Sequence, residues 1–252
     1  MNEPWNLKSE DSRQPDSLPN FIIFCEDEVS EPIYLKYFET PLIKVNPIKK
    51  QLSKIDNVLK AISYCIKIGL LDPACESPCV QDESTHVWCV FDRDIEEDQT
   101  KIPIGHTSFN ESIKSATASG LKVAWSNDSF ELWILLHFED IDIEDPLYKN
   151  RNRYYERLTD IFKSLPNPNE DLIKALRHAS FNYKQDCKSE NNFRSVVRSE
   201  IIKNIHLAIE RSKKVEEHFS TLGYANHEKA PCTMMHHLIE ELLEYGKKEI
   251  GT

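Results

Sequence analysis

An open, mostly parallel α/β sheet flanked by helices, followed by a helical C-terminal region, is the fold this sequence predicts. Apolar runs of strand length, FIIFC, VWCVF and LKVAWS, alternate with helix-period segments over residues 21–145. That is the order of a sheet covered on both faces. The runs end on acids or amides: Glu26, then Asp92, then Asn127 and Asp128. Ligands gather at such strand ends in open α/β sheets. From residue 150 onward the periodicity is helical, links such as PNPNED are polar, and no strand is convincing. The chain therefore divides into a flexible leader (1–20), an α/β core (21–145) and a helical C-terminal region (146–252), without internal repeats.

FIIFCE reads as a fully buried strand. After DEVSE, Pro32 suits the first turn of a helix carrying Ile33, Tyr34, Tyr37 and Phe38. A short strand is predicted over 42–48 (LIKVNPI). Ile55, Leu59, Ile62 and Ile66, three and four apart, mark a helix that Gly69 would stop. Residues 70–85 read as a loop and HVWCVFD as a strand, with a helix over 108–118 ending at Gly120 and a strand at LKVAWS. SFELWILLHFE predicts a short, almost fully buried helix. The last helix, about 234–248, places Met235, Leu238, Ile239, Leu242 and Leu243 on one face.

At 252 residues and 40% hydrophobic content the chain can bury a real core. No apolar run approaches the ~20 residues of a membrane span, and the N-terminus is polar, so a cytoplasmic protein without a membrane role is expected. Seven cysteines at irregular spacings fit mostly free thiols in a reducing compartment. The net charge of −11 argues against nucleic acid on average, but it is unevenly spread. Residues 149–214 hold 15 Lys and Arg against 8 Asp and Glu, whereas 92–145 hold 4 against 13. A basic segment suits a polyanion and an acidic one a divalent cation, while variation between helix surfaces is the plainer reading.

In a strand, residues two apart point the same way, so Asp92 and Asp94 are expected to project together with Arg93 opposite. Like charges so close need a cation or a proton. Mg²⁺ takes one or two carboxylates and fills its other positions with water and phosphate oxygens. Glu26 would add a third acid. An Asp-x-Asp also turns chains and caps helices.

The Glu26 ending FIIFCE with Glu31-Pro32 nearby, the Asp92 and Asp94 of WCVFDRD, and the block SNDSFELWILLHFE together resemble the RloB-like proteins of bacteria, members of the Toprim superfamily. The resemblance extends through AIERSKKVEEHF (208–219) and TMMHHLIEEL (233–242), covering most of residues 20–245. It implies a Toprim-like sheet, and a nuclease cutting DNA or RNA, tRNA included. It implies that Asp92 and Asp94 bind Mg²⁺ (or Mn²⁺) and that Glu26 serves as ligand or acid/base. It further implies a role in anti-phage defence, related to overcoming-lysogenization-defect nucleases, beside an ATPase of the ABC type. This chain has no GxxxxGK[ST] loop, so that ATPase would be a separate chain. One departure is Asp27, where such proteins usually carry Gly. The other reading is a non-catalytic Toprim-like module that docks on the ATPase and binds nucleic acid or a nucleotide signal. Assembly into a homo-oligomer stays open.

Glu131, in the first turn of a helix, is favoured there by the helix dipole alone and is equally a candidate catalytic carboxylate. His137 reads as a buried, hydrogen-bonded residue. Cys75, Cys79, His86 and Cys89 have irregular spacing for zinc, and buried cysteine is the simpler account. Tyr183, Lys184, Arg194 and Arg198 are candidate phosphate contacts, against a solvated helix face. His236 is a candidate acid or phosphate donor, or a cap on the terminal helix.

Overall fold

A computed structural model describes residues 18–248 apart from 52, 75–79, 81, 96, 97 and 99. The leader up to residue 17, and Cys75 and Cys79, lie outside the described residues. The core runs β1 (Asn20–Cys25), α1 (Ser30–Lys36), β2 (Lys44–Ile48), α2 (Ile55–Lys67), β3 (Thr85–Asp92), α3 (Ile102–Ala118), β4 (Lys122–Asn127) and α4 (Glu131–Leu136). There follow α5 (Arg151–Ser164), α6 (Glu170–Leu176), the short α7 (Tyr183–Asp186), α8 (Glu190–Asn192) and α9 (Arg198–Ile201), then α10 (Ile205–Ser220), β5 (Cys232–Thr233) and α11 (Met235–Gly246).

The strands form one sheet in the order β2-β1-β3-β4-β5. The first four are parallel, and β5 pairs antiparallel with β4. The fold is thus the expected mixed α/β arrangement, with a mostly parallel five-stranded sheet, flanking helices and a helical C-terminal region. Parallel strands buried on both faces must be apolar at nearly every position, which is why these runs show no polar alternation. Phe21, Ile23, Cys25, Trp88, Val90 and Ala124 face the side packed by α1, α4, α5 and α11. Ile22, Phe24, Val87, Cys89, Phe91 and Trp125 face α2, α3 and the end of α10.

Two elements differ from expectation. Helix α3 begins at Ile102 rather than near 108, started by a proline in its first turn. Strand β5, in the region where helices alone were expected, is two residues long and so carries no periodicity to detect. The short helices between 150 and 192 are cut by side-chain caps. Asn150, Asn169, Asn182 and Ser189 each accept a hydrogen bond from a backbone N–H of the turn that follows. Among the described residues no helix is long and apolar enough to cross a membrane, and Cys25, Cys65, Cys89, Cys187 and Cys232 are free, buried thiols.

Buried Asn57 on α2 braces the ends of two strands. Its Nδ2 donates to the Phe24 carbonyl of β1 and the Val90 carbonyl of β3, both at 3.2 Å. Asn57→Ala removes both bonds under the sheet edge that carries the acids. The expected loss is about 1–3 kcal/mol of stability by urea unfolding; an unchanged midpoint would show that the brace contributes nothing.

Candidate metal centre

Register puts the acids in one place. Cys25 stands beside Val90, Asp92 beside Ser126, and Asn127 beside Cys232, so the carboxyl ends of β1, β3 and β4 line up. Glu26 leaves β1 with its N–H on the Val90 carbonyl (3.1 Å) and its carboxylate accepting from the Asp92 N–H (3.2 Å). The Asp92 carboxylate in turn accepts from the Phe130 N–H at 3.1 Å. Glu31, almost wholly buried in the first turn of α1, lies close enough to Glu26 and Asp92 for their charges to act on one another.

Asp94 reaches the group by a different route from the one expected. Strand β3 stops at Asp92, and Asp94 sits beyond it with φ +50°, its N–H on the Asp128 carbonyl at 3.2 Å. The period-two rule therefore does not apply to this pair, and a left-handed turn, which Asp tolerates, brings the carboxylate back. Arg93 does face away, donating to Asn127 Oδ1 (3.1 Å) and lying 2.6 Å from His106 Nε2.

The crowding shows in the acidities. Burial and the Asp94 carboxylate push Glu26 up to about 7. Burial, with Asp27 and Glu26, raises Glu31 well above the usual carboxylate range, and burial, with Glu31 and Asp94, does the same to Asp92. Glu131 adds to the repulsion on both. Among the described residues Glu26, Glu31 and Asp92 form no ion pair.

The other acids are balanced from the C-terminal region. Arg151, the first residue of α5, donates from Nη2 to Asp94 at 2.5 Å and to Asp128 Oδ1 at 2.6 Å, while its Nε donates to Asp128 Oδ2 at 2.9 Å. Asp128, noted in the sequence only as a strand end, is 1% exposed. Lys188 meets the buried Glu131 at 2.6 Å and rests over the Tyr155 ring. Neither Arg151 nor Lys188 had a signal in the sequence, because Arg151 lies 23 and 57 residues from Asp128 and Asp94, and Lys188 lies far from Glu131, beyond any local periodicity.

Asp27 braces the loop where glycine was expected. Its carboxylate accepts from the N–H groups of Glu28 (2.6 Å), Val29 (3.2 Å) and Ser30 (2.7 Å), leading the chain into α1. Its φ is not positive, so no glycine is required here. Its own N–H donates to Glu31 at 3.2 Å.

The remaining candidates scatter. Lys184 is exposed and lies over Tyr155, beside Lys188. Tyr183 is fully buried in the core, where its ring packs on Phe162, and cannot touch phosphate. Arg194 pairs with Glu190 at 3.0 Å and lines a groove with Lys36 and Lys49, with Arg198 close to it. His236 is fully buried, and its nitrogens face Ser212 and Glu216, not the acids. His137 is also fully buried, between the Tyr34 hydroxyl and the Trp133 carbonyl, and burial lowers it to about 3. His86 pairs with Glu241 and Cys89 is buried within β3, so neither behaves as a zinc ligand.

Raised carboxyl pKa values make the folded state bind protons that the unfolded chain releases. The Glu26 contribution is complete below the ordinary carboxylate range and is lost as pH rises through about 7, and those of Glu31 and Asp92 are lost as pH rises through their own raised values. Without divalent cation, Asp92→Asn should therefore melt higher than wild type, by about 2–4 °C for each kcal/mol of relieved repulsion. The gap should widen from about pH 5 to pH 8 and close on adding Mg²⁺. A gap independent of pH, measured by thermal scanning, would remove the repulsion argument.

No curated protein and no solved structure matches the chain. The family described as RloB-like protein matches residues 21–242, from the first residues of β1 into α11 and across the strand ends that carry the acids. The chain belongs to the RloB-like family.

Proposed function

We propose that this protein is a metal-dependent, Toprim-like nuclease that hydrolyses phosphodiester bonds of DNA or RNA, tRNA included, in bacterial anti-phage defence beside a separate ABC-type ATPase. One observation carries the reading. Glu26 and Asp92, at the ends of adjacent parallel strands, and Glu31, at the start of α1, crowd together without an ion pair among the described residues, whereas Asp94, Asp128 and Glu131 beside them are each paired. An all-oxygen donor set of this kind fits a hard dication and not a softer metal. Mg²⁺ or Mn²⁺ held by Glu26, Asp92 and Asp94 would supply Lewis-acid polarisation of a phosphate oxygen.

The chain's own residues account for the rest. Glu26, which burial and Asp94 push up to about 7 in the metal-free protein, can take the proton of an attacking water near neutral pH where Asp92 and Asp94 alone hold the ion. Asp92 is held in place by the Phe130 N–H, and Asp94 by Arg151. Lys54 lies close enough to Glu26 to favour its charged form, and Lys184 lies beside the Glu131–Lys188 pair. Exposed Lys184, with Lys49 and Arg194 in the groove beside α1, is suited to holding a phosphate backbone.

The second reading, a docking module that binds without cutting, draws on the Arg151 clamp, which occupies oxygens of both Asp94 and Asp128. Asp27 no longer favours it, since that side chain braces the loop. Purified protein, with and without its partner ATPase, should be incubated with tRNA, single-stranded DNA and duplex DNA in Mg²⁺ or Mn²⁺. Cleavage should fall by about 10²–10⁴-fold in Glu26→Gln and comparably in Asp92→Asn. Equal cleavage by all three proteins would remove the catalytic assignment, and none by any of them with the ATPase present would favour the module.

A further inference from the structure

The histidine pair that opens α11 takes no part in the acid cluster. We propose that Glu216, His236 and His237 form a separate site for a transition-metal dication, Zn²⁺ by chemistry, that clasps α10 to the start of α11. His236 Nε2 lies 2.8 Å from Glu216 Oε2, and His237 Nε2 lies 3.1 Å from each Glu216 oxygen. All the ligand atoms lie within 4.8 Å of one another. Ligands held at about 2.0–2.1 Å around a tetrahedral zinc stand about 3.3 Å apart, so a small movement of Glu216 admits the ion.

The tautomer of His236 is the second argument. Ser212 Oγ donates its single hydrogen to the Thr233 carbonyl at 2.9 Å. What it offers His236 Nδ1, 2.8 Å away, is therefore a lone pair, and Nδ1 carries the hydrogen. In the neutral ring, Nε2 then turns its own lone pair toward the Glu216 carboxylate. With His237 Nε2 3.1 Å from the same carboxylate, two imidazole lone pairs and a carboxylate offer one cation a ready seat. A hydrogen bond from the far ring nitrogen to an anchored hydroxyl is the outer support that metal-binding histidines use to fix their orientation.

The donor set gives the metal class. Two imidazoles and a carboxylate suit Zn²⁺ or a neighbouring transition metal, where Mg²⁺ prefers oxygen throughout. The two rings lie with centroids 4.1 Å apart, and both Nε2 atoms meet the Glu216 carboxylate. His237 is 47% exposed, leaving a solvent-facing position for a fourth, water ligand.

The full chain, stripped with chelator, should be titrated with Co²⁺ and followed by the visible absorption of the tetrahedral ion. One equivalent should develop the tetrahedral spectrum, lose it to Zn²⁺, and raise the melting temperature. His237→Ala, at an exposed position, and Glu216→Gln should bind at least about tenfold more weakly, while keeping the metal-free melting temperature. Asp92→Asn should bind Co²⁺ as wild type does, which separates this site from the acids of the proposed nuclease. Absence of a tetrahedral spectrum, wild-type affinity in His237→Ala, or loss of the spectrum in Asp92→Asn would each overturn the proposal.

Discussion

The guanidinium of Arg151 holds Asp94 and Asp128 at the ends of adjacent strands, and the geometry of the acidic site depends on that contact. Asp128 is almost wholly buried, and a buried carboxylate without a partner would cost several kcal/mol. Arg151 meets both of its oxygens, while the Arg151 backbone N–H donates to Oδ2 at 3.0 Å. The same guanidinium reaches Asp94, beyond the end of β3. Because Arg151 starts α5, the first turn of the C-terminal region is locked to the sheet at the point where the chemistry is placed.

This contact also recasts the uneven charge along the chain. The excess of cations over 149–214 looked suited to a polyanion, yet several of them face the acidic segment inside the molecule. Arg151 pairs with Asp94 and Asp128, Arg157 with Glu139, and Lys188 with Glu131. Part of the split is therefore complementarity between two regions of one core. It also leaves a remainder: Glu26, Glu31 and Asp92, outside the reach of these pairs, are the acids whose proton affinity rises.

How much of this was legible in the sequence follows from the range of each interaction. The strands were readable because a parallel sheet buried on two faces needs unbroken apolar runs such as FIIFC and VWCVF. Glu26, Asp92 and Asp128 were readable as strand ends for the same reason. Asp94 was named correctly as a neighbour but by the wrong rule, since a left-handed turn at one residue leaves no pattern. Arg151, Lys188 and the two-residue β5 were invisible, being fixed by tertiary contacts between distant segments. Tyr183 illustrates the reverse error. A basic neighbourhood suggested a phosphate contact, while its ring was needed among the aromatic residues under α5.

Strand β5 ties the acid site to the C-terminal helices. On one side Cys232 and Thr233 pair with Asn127 and Ser126, the last residues of β4 before Asp128. On the other, the Thr233 carbonyl accepts from Ser212 of α10, and its hydroxyl bonds Ser126 at 3.0 Å and the Met235 N–H at 3.3 Å. A buried hydrogen-bonded chain therefore runs from the α10–α11 contact, where His236 meets Ser212, to the strand end that positions Asp128. Such a chain holds its members in one arrangement, because breaking any link leaves a buried polar group unsatisfied. The carboxyl end of β4 is thus fixed twice over, by Arg151 from α5 and by Thr233 from β5. That double anchorage keeps Asp128 and Asp94 in register beside the three acids that form no ion pair among the described residues.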